Sequence, residues 1–185
     1  MRKVERSEIV DFQTYSDRRA ETRPTALAAK AARRVQVGEW LTFLFENRET
    51  VRYQVQEMMR TERIVREAEI EHELQTYNEL IHGRGTLGCT LLIGIDDPEL
   101  RDARLREWLP LVQHLYAELP DGTKVRPVYD ARQVGEDRLS SVQYLAFELG
   151  QHAPVALGSD LPALDVGTRL GDAQRAALQA DLDED

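Results

Sequence analysis

The stretch Leu87-Gly88-Cys89-Thr90-Leu91-Leu92-Ile93-Gly94-Ile95 places an apolar residue at every odd position. A period of two puts those side chains on one face of an extended chain, so the segment reads as a central strand. Other extended segments surround it in sequence. Residues 34–45 carry Val35, Val37, Trp40, Leu41, Phe43, Leu44 and Phe45 around Gly38-Glu39, which suits a hairpin turn or bulge. Residues 112–119 and 124–129 flank Pro120-Asp121-Gly122-Thr123, a second hairpin signal. Residues 140–149 and 155–157 supply the last expected strands.

Helical spacing fills the intervals. Ile9, Phe12 and Tyr15 open a helical pattern over residues 7–30 that Arg23-Pro24 is expected to break into two short helices. Asn47 stands as an N-cap before a helix over residues 48–66, whose Val51, Val55, Met58 and Val65 fall on one arc. After a bend at Glu67-Ala68-Glu69, a helix over residues 70–81 buries Ile70, Leu74, Tyr77 and Ile81. Asp96-Asp97-Pro98-Glu99 starts another that ends near Pro110. No regular alternation of strand and helix is present, which disfavours a doubly wound sheet. The expectation is one α+β domain over residues 1–167, an antiparallel or mixed sheet covered by helices, with an acidic, flexible tail over residues 168–185.

With 42% hydrophobic residues, a chain of 185 residues can build one core without metal or disulfide staples. Cys89 is the only cysteine, which excludes an internal disulfide and any Cys-x-x-Cys ligand set. No stretch approaches the roughly 20 apolar residues of a membrane span, and the charged start, Met1-Arg2-Lys3-Val4-Glu5-Arg6, lacks the apolar run of a secretory signal. A cytoplasmic protein is expected, with no membrane partner. The net charge of -9 argues against nucleic acid, whose phosphates need a basic surface. Charge is uneven, however: residues 1–34 hold nine Lys+Arg against five Asp+Glu, whereas residues 171–185 hold one Arg against five acids.

The densest polar group runs from Glu46 through Met58. A helix N-terminus carrying Arg48 and Arg52 one turn apart, with Tyr53 and Gln56 behind them, is a candidate anion or carboxylate site. Against it stands a purely structural reading, in which Asn47 caps and the arginines pair with Glu46, Glu49 and Glu57 on the surface. Glu62 projects into the apolar arc of its helix and so needs a partner, Arg66 or Arg48. The alternative function is a metal-binding protein or enzyme built on Glu46, Glu57, Glu62 and His72. Glu69-Ile70-Glu71-His72 has the Glu-x-x-His spacing of di-iron bundles, but only once, and those bundles need it twice. His82, His114 and His152 have no ligand spacing, Ser140-Ser141 lacks a nucleophile elbow, and Cys89 reads as an inert buried thiol. No cofactor is expected, and a metal ion belongs to the alternative only.

The segments Arg33-Arg34-Val35-Gln36-Val37-Gly38, Phe45-Glu46-Asn47-Arg48 and Val51-Arg52-Tyr53-Gln54-Val55-Gln56-Glu57-Met58 resemble the bacterial family known as domain of unknown function 3501. Tyr77-Asn78-Glu79-Leu80-Ile81, Leu91-Leu92-Ile93, Phe147-Glu148-Leu149 and Val155-Ala156-Leu157-Gly158 resemble its later blocks, so the likeness extends to about Pro162. The chain departs from the family pattern at Glu69, where glycine is usual, and at Leu161, where histidine is usual. The second departure weakens any ligand role for the last strand. The resemblance implies an accessory protein in redox or oxidative-stress metabolism, a companion of rubrerythrin-type and iron-sulfur proteins. A protein partner is therefore expected, and self-association stays open.

Overall fold

The computed structural model describes residues 1–184. It is an α+β domain in which helices pack with two antiparallel sheets of four strands each. The first sheet has the order β1-β2-β3-β6, from β1 (Arg34–Val37), β2 (Leu41–Phe45), β3 (Thr86–Ile93) and β6 (Val142–Glu148). The second has the order β5-β4-β7-β8, from β4 (Leu115–Glu118), β5 (Lys124–Val125), β7 (Ala156–Leu161) and β8 (Leu164–Arg169). The expected antiparallel architecture is thus present, with its strands divided between two sheets.

The register of the first sheet follows from the odd positions of β3. Phe45 opposes Cys89 and Cys89 opposes Leu145, while Phe43 opposes Leu91 and Leu87 opposes Phe147. All of these side chains share one face and are fully or almost fully buried. A slip of one residue would turn the whole set to the other face, so burial fixes the pairing. Gly38 turns the β1–β2 hairpin in the left-handed region, at φ 58°. On the opposite face, a Cβ at Gly88 would lie 1.9 Å from the carbonyl oxygen of Leu80, so only glycine lets the chain cross the sheet there.

The helices are α1 (Phe12–Ala31), α2 (Arg48–Glu62), α3 (Glu67–Asn78), α4 (Pro98–Glu107), the single turn α5 (Leu111–His114) and α6 (Asp172–Asp183). Asn47 and Asp97 cap α2 and α4 as expected, and Pro98 opens α4. Four expectations are corrected. First, α1 runs unbroken through Pro24. An interior proline costs a helix about 3 kcal/mol; Pro24 is exposed, an alanine-rich turn follows it, and Tyr15 and Arg19 anchor the helix to α2. Second, α2 stops at Glu62 because Arg63 adopts a left-handed conformation (φ 53°), which turns Ile64 into the core and leaves Val65 in solvent. The buried stripe is accordingly Val51, Val55 and Met59. Third, residues 111–114 are a helical turn before β4 begins, where a strand was expected.

The fourth correction concerns residues 168–185. Described as far as Glu184, they are the end of β8 and the helix α6, which buries Leu178, Asp181 and Leu182. Spacing of three and one places these on a single helical stripe, and the remaining acids face water. Asp181 accepts from Arg33 Nε at 2.6 Å and from Arg33 Nη2 at 2.7 Å, and Asn47 Nδ2 donates to it at 3.2 Å. The charge asymmetry between the two ends of the chain is therefore realised as one buried ion pair.

The N-terminal ten residues, outside any long element, are held by amide side chains. Asn78 accepts from the Val4 N–H and donates to the Val4 carbonyl, both at 2.9 Å. Gln56 does the same for Val10, both at 3.0 Å. Each amide replaces a missing neighbouring strand and satisfies both backbone groups of one extended residue. Met1, Val4 and Ile9 are thereby kept in the core.

Removing one member of a buried pair strands the other, which costs about 3–5 kcal/mol. Asp181→Ala should lower the unfolding free energy measured by urea titration by an amount in that range, and Arg33→Met/Asp181→Leu should recover much of it. Equal stability of Asp181→Ala and the wild-type protein would mean that α6 is a dispensable appendage.

Candidate functional site

At the N-terminus of α2, Asn47 Oδ1 accepts from the Thr50 N–H and Thr50 Oγ1 accepts from the Asn47 N–H, at 3.0 and 2.9 Å. This reciprocal cap fixes the first turn and, with it, the directions of Arg48 and Arg52. Arg48 reaches back to Glu8, in the N-terminal segment. Arg52 pairs with Glu49 one turn earlier, at 2.7 Å. Gln56 is committed to Val10. Tyr53 carries the ammonium of Lys30 at 5.1 Å from its ring centre.

Arg52, Tyr53 and Gln56 line a cavity of about 240 Å³ between α1 and α2, together with Arg18 and Thr22 of α1 and Val10. The structure thus brings together three of the four expected site residues, while Arg48 serves as the anchor of Glu8. It also adds Arg18, whose exposed guanidinium has no hydrogen bond or ion pair among the described residues. Of the two carboxylates in the lining, Glu8 is paired with Arg48 and Glu49 with Arg52. One uncompensated positive charge remains. The surplus of basic residues in the first part of the chain was the only sequence signal for Arg18.

The alternative set does not assemble. Glu46 is largely buried at the start of α2 and accepts a hydrogen bond from Thr50 Oγ1; burial pushes its carboxyl above the ordinary range. It is not a partner of Arg48 or Arg52. Burial and the nearby Glu46 carboxyl push the Cys89 thiol well up, which keeps it protonated and inert. Glu57 accepts from Arg19 Nε at 2.7 Å and from the Tyr15 hydroxyl at 2.6 Å, and lies 3.6 Å from Arg60. Glu62 is exposed at the end of α2, where the helix overruns the core it was expected to enter. Arg66 pairs with Glu69 instead. Of the four, only Glu62 and His72 line the same open cavity, together with Glu69 and Glu73. Among the described residues no three His, Cys, Asp or Glu side chains come together as metal ligands.

A further polar group appears on the second sheet, where sequence spacing gave no sign of it. His114 Nδ1 lies 3.0 Å from Asp160 Oδ1, and Arg126 Nη1 lies 3.2 Å from the same oxygen. Arg126 and His114 together hold the Asp160 carboxyl down at about 2. Asp160 opposes Asp165 in the β7–β8 pair. This is an ion-paired sheet surface, and among the described residues no hydroxyl or thiol hydrogen-bonds to the His114 ring.

Glu57 gives the α1–α2 contact a pH dependence. Hydrogen bonds from Arg19 and then Tyr15 hold its carboxyl down at about 2, against an ordinary value of 4.5. A lowered folded value means that its stabilisation is complete above about pH 4.5 and is lost as pH falls toward 2. Glu57→Gln should therefore be less stable than wild type at pH 7, with the two converging by about pH 2 in urea titrations. A constant difference across that window would show that Glu57 makes no charge-dependent contribution.

The chain is similar to known proteins over its full length. None of the curated proteins matches it. A crystal structure of a novel protein of unknown function from Burkholderia pseudomallei superposes with a TM-score of 0.89 at 28% identity, covering 98% of this chain and 100% of that one. The family model described as "Protein of unknown function (DUF3501)" matches residues 3–182. With all but the extreme ends of the sequence matched, α6 included except for its last residue, the chain belongs to this family of unknown function.

Proposed function

We propose that the protein is a non-catalytic accessory protein that holds a carboxylate-bearing segment of a protein partner in the groove between α1 and α2. The observation that carries this reading is Arg18, an unpaired guanidinium that lines the same small cavity as Arg52. Two guanidiniums on facing helices can each present a planar pair of donors to a carboxylate, which a single ammonium cannot do. Arg52 would exchange Glu49 for the incoming carboxylate. Such an exchange costs little, because both side chains are partly exposed and surface pairs contribute at most about 1 kcal/mol. Thr22 and Tyr53 supply hydroxyls beside the two cations.

The partners this reading favours are the rubrerythrin-type and iron-sulfur redox proteins that the family likeness implies, met in the cytoplasm. No helix among the described residues is long and apolar enough to cross a membrane, which is compatible with that setting. A metal-dependent activity has less support, since Glu46, Glu57 and the Glu62–His72 pair lie at three separate places.

Binding of a fluorescein-labelled, glutamate-rich peptide, read by anisotropy, tests the groove. Arg18→Ala/Arg52→Ala should weaken binding at least about tenfold, the equivalent of about 1.4 kcal/mol, and the double lysine variant should be nearly as weak. The same variants should lose the partners that wild type recovers from its native host. Unchanged affinity in a double mutant shown to be folded by circular dichroism would reduce these arginines to a solvated helix surface.

A further inference from the structure

A second and larger cavity, of about 490 Å³, lies away from the α1–α2 groove, between the end of α3 and the open edge of β6. Its walls are aromatic and aliphatic: Tyr77 and Leu80 from the α3 end, Val128 and Tyr129 from the segment after β5, and Tyr144 and Ala146 from β6. Val128 and Tyr144, 55% and 54% exposed, are among the few large apolar side chains that the described residues leave in solvent, and both belong to this one cavity. Three tyrosines and an exposed valine in one depression form a surface that water covers at a cost.

The wall is held in place by backbone pairing. Val128 exchanges two backbone hydrogen bonds with Ala146, each of 2.8 Å, as an isolated bridge on the β6 edge. Gln133 clasps Tyr144 in the manner of the other amides, accepting from its N–H at 2.7 Å and donating to its carbonyl at 2.9 Å. The outward backbone groups of Tyr144 and Ala146 are thereby satisfied, so the cavity does not invite an added strand there. What stays exposed is the Tyr144 side chain beside Val128, with Tyr77 and Tyr129 partly exposed behind them.

The charges at the rim select further. Asp130 is neutralised by Arg132, at 2.9 Å, but Glu79 has no ion pair among the described residues. No lysine or arginine lines the cavity. Burial and the neighbouring Lys3 hold the His82 ring below its ordinary value, so it is neutral at pH 7. The lining therefore offers tyrosine rings, hydroxyls and the carboxylate of Glu79 without an ion pair, in a volume within the range of small-molecule sites, about 300–1,000 Å³.

We propose that this cavity is a binding site for a planar aromatic molecule that carries no negative charge, with a cationic ring preferred. The ring would stack against Tyr144 and Tyr129, where the negative faces of the tyrosines attract a positive ring, and its charge would lie toward Glu79. This site is independent of the carboxylate groove, since the two share no lining residue and have opposite charge preference.

Isothermal titration with N-methylquinolinium and with 2-naphthoate, two flat bicyclic probes of opposite charge, tests it. N-methylquinolinium should bind at one saturable site, and 2-naphthoate at least about tenfold more weakly. Tyr144→Ala should reduce N-methylquinolinium affinity by at least about tenfold, while Arg18→Ala/Arg52→Ala should leave it unchanged. Tyr144 is more than half exposed, so the alanine variant should fold; if its melting temperature drops, Tyr144→Leu, which keeps bulk without the ring, takes its place. Absence of saturable binding, equal affinity for 2-naphthoate, or wild-type affinity in the folded Tyr144 variant would each overturn the proposal. Loss of binding in the Arg18/Arg52 variant would overturn the independence of the two sites.

Discussion

The ion pair between Arg33 and Asp181 ties the whole chain together. Arg33 immediately precedes β1, Asp181 lies in the last helix, and Asn47, the cap of α2, donates to the same carboxylate. Three elements far apart in sequence thus converge on one buried charge. A carboxylate taken out of water is tolerated only if its oxygens are satisfied, and here a bidentate guanidinium and an amide do so. Leu178 and Leu182 are buried on either side of Asp181 in α6, so the docking of the pair and the closing of the core are one event. The cap also orients Arg48 and Arg52, which makes the candidate groove dependent on a contact that none of its own residues makes.

Local physics made much of the fold legible. The odd-position pattern of β3, the Gly38 hairpin, the Asn47 and Asp97 caps and the α+β class all follow from interactions within a few residues. What stayed hidden depends on distant partners. Pro24 is carried inside α1 because Tyr15 and Arg19 bind Glu57, an anchorage of the same helix that no local rule contains. The acidic C-terminal segment resembled a solvated tail because its composition was read as an average; only the stripe of Leu178, Asp181 and Leu182 enters the core. Glu62 was on the correct helical face by angle, yet the helix runs past the core at that point. Angular position says which side a residue faces and nothing about where the opposing surface ends.

The candidate site shows the same division. Arg52, Tyr53 and Gln56 could be picked out because one helix carries them at successive turns. Their surroundings could not: Arg18 and Thr22 come from α1, and Glu8, which takes Arg48, comes from a short turn near the N-terminus. Of the expected pairing of Arg48 and Arg52 with Glu46, Glu49 and Glu57, only Arg52 with Glu49 forms; Arg48 goes to Glu8, and Glu57 to Arg19. Gln56 was read as a ligand-facing amide, whereas both ends of that amide are spent on the Val10 backbone.

That use of amides connects the two cavities. Gln56 fastens Val10, and both line the carboxylate groove; Gln133 fastens Tyr144, and both line the aromatic cavity. In the first case a non-helical segment is joined to α2 by that pair of side-chain hydrogen bonds; in the second, Gln133 of the short turn Ala131–Gln133 adds its pair to the backbone bridge between Val128 and Ala146 on the β6 edge. A neutral hydrogen bond contributes a net stabilisation of only about 0.5–1.5 kcal/mol, so each amide clasp adds less than a continuous strand ladder does. The fold therefore combines two antiparallel sheets with two cavities, each bordered by a segment that lies outside their continuous ladders.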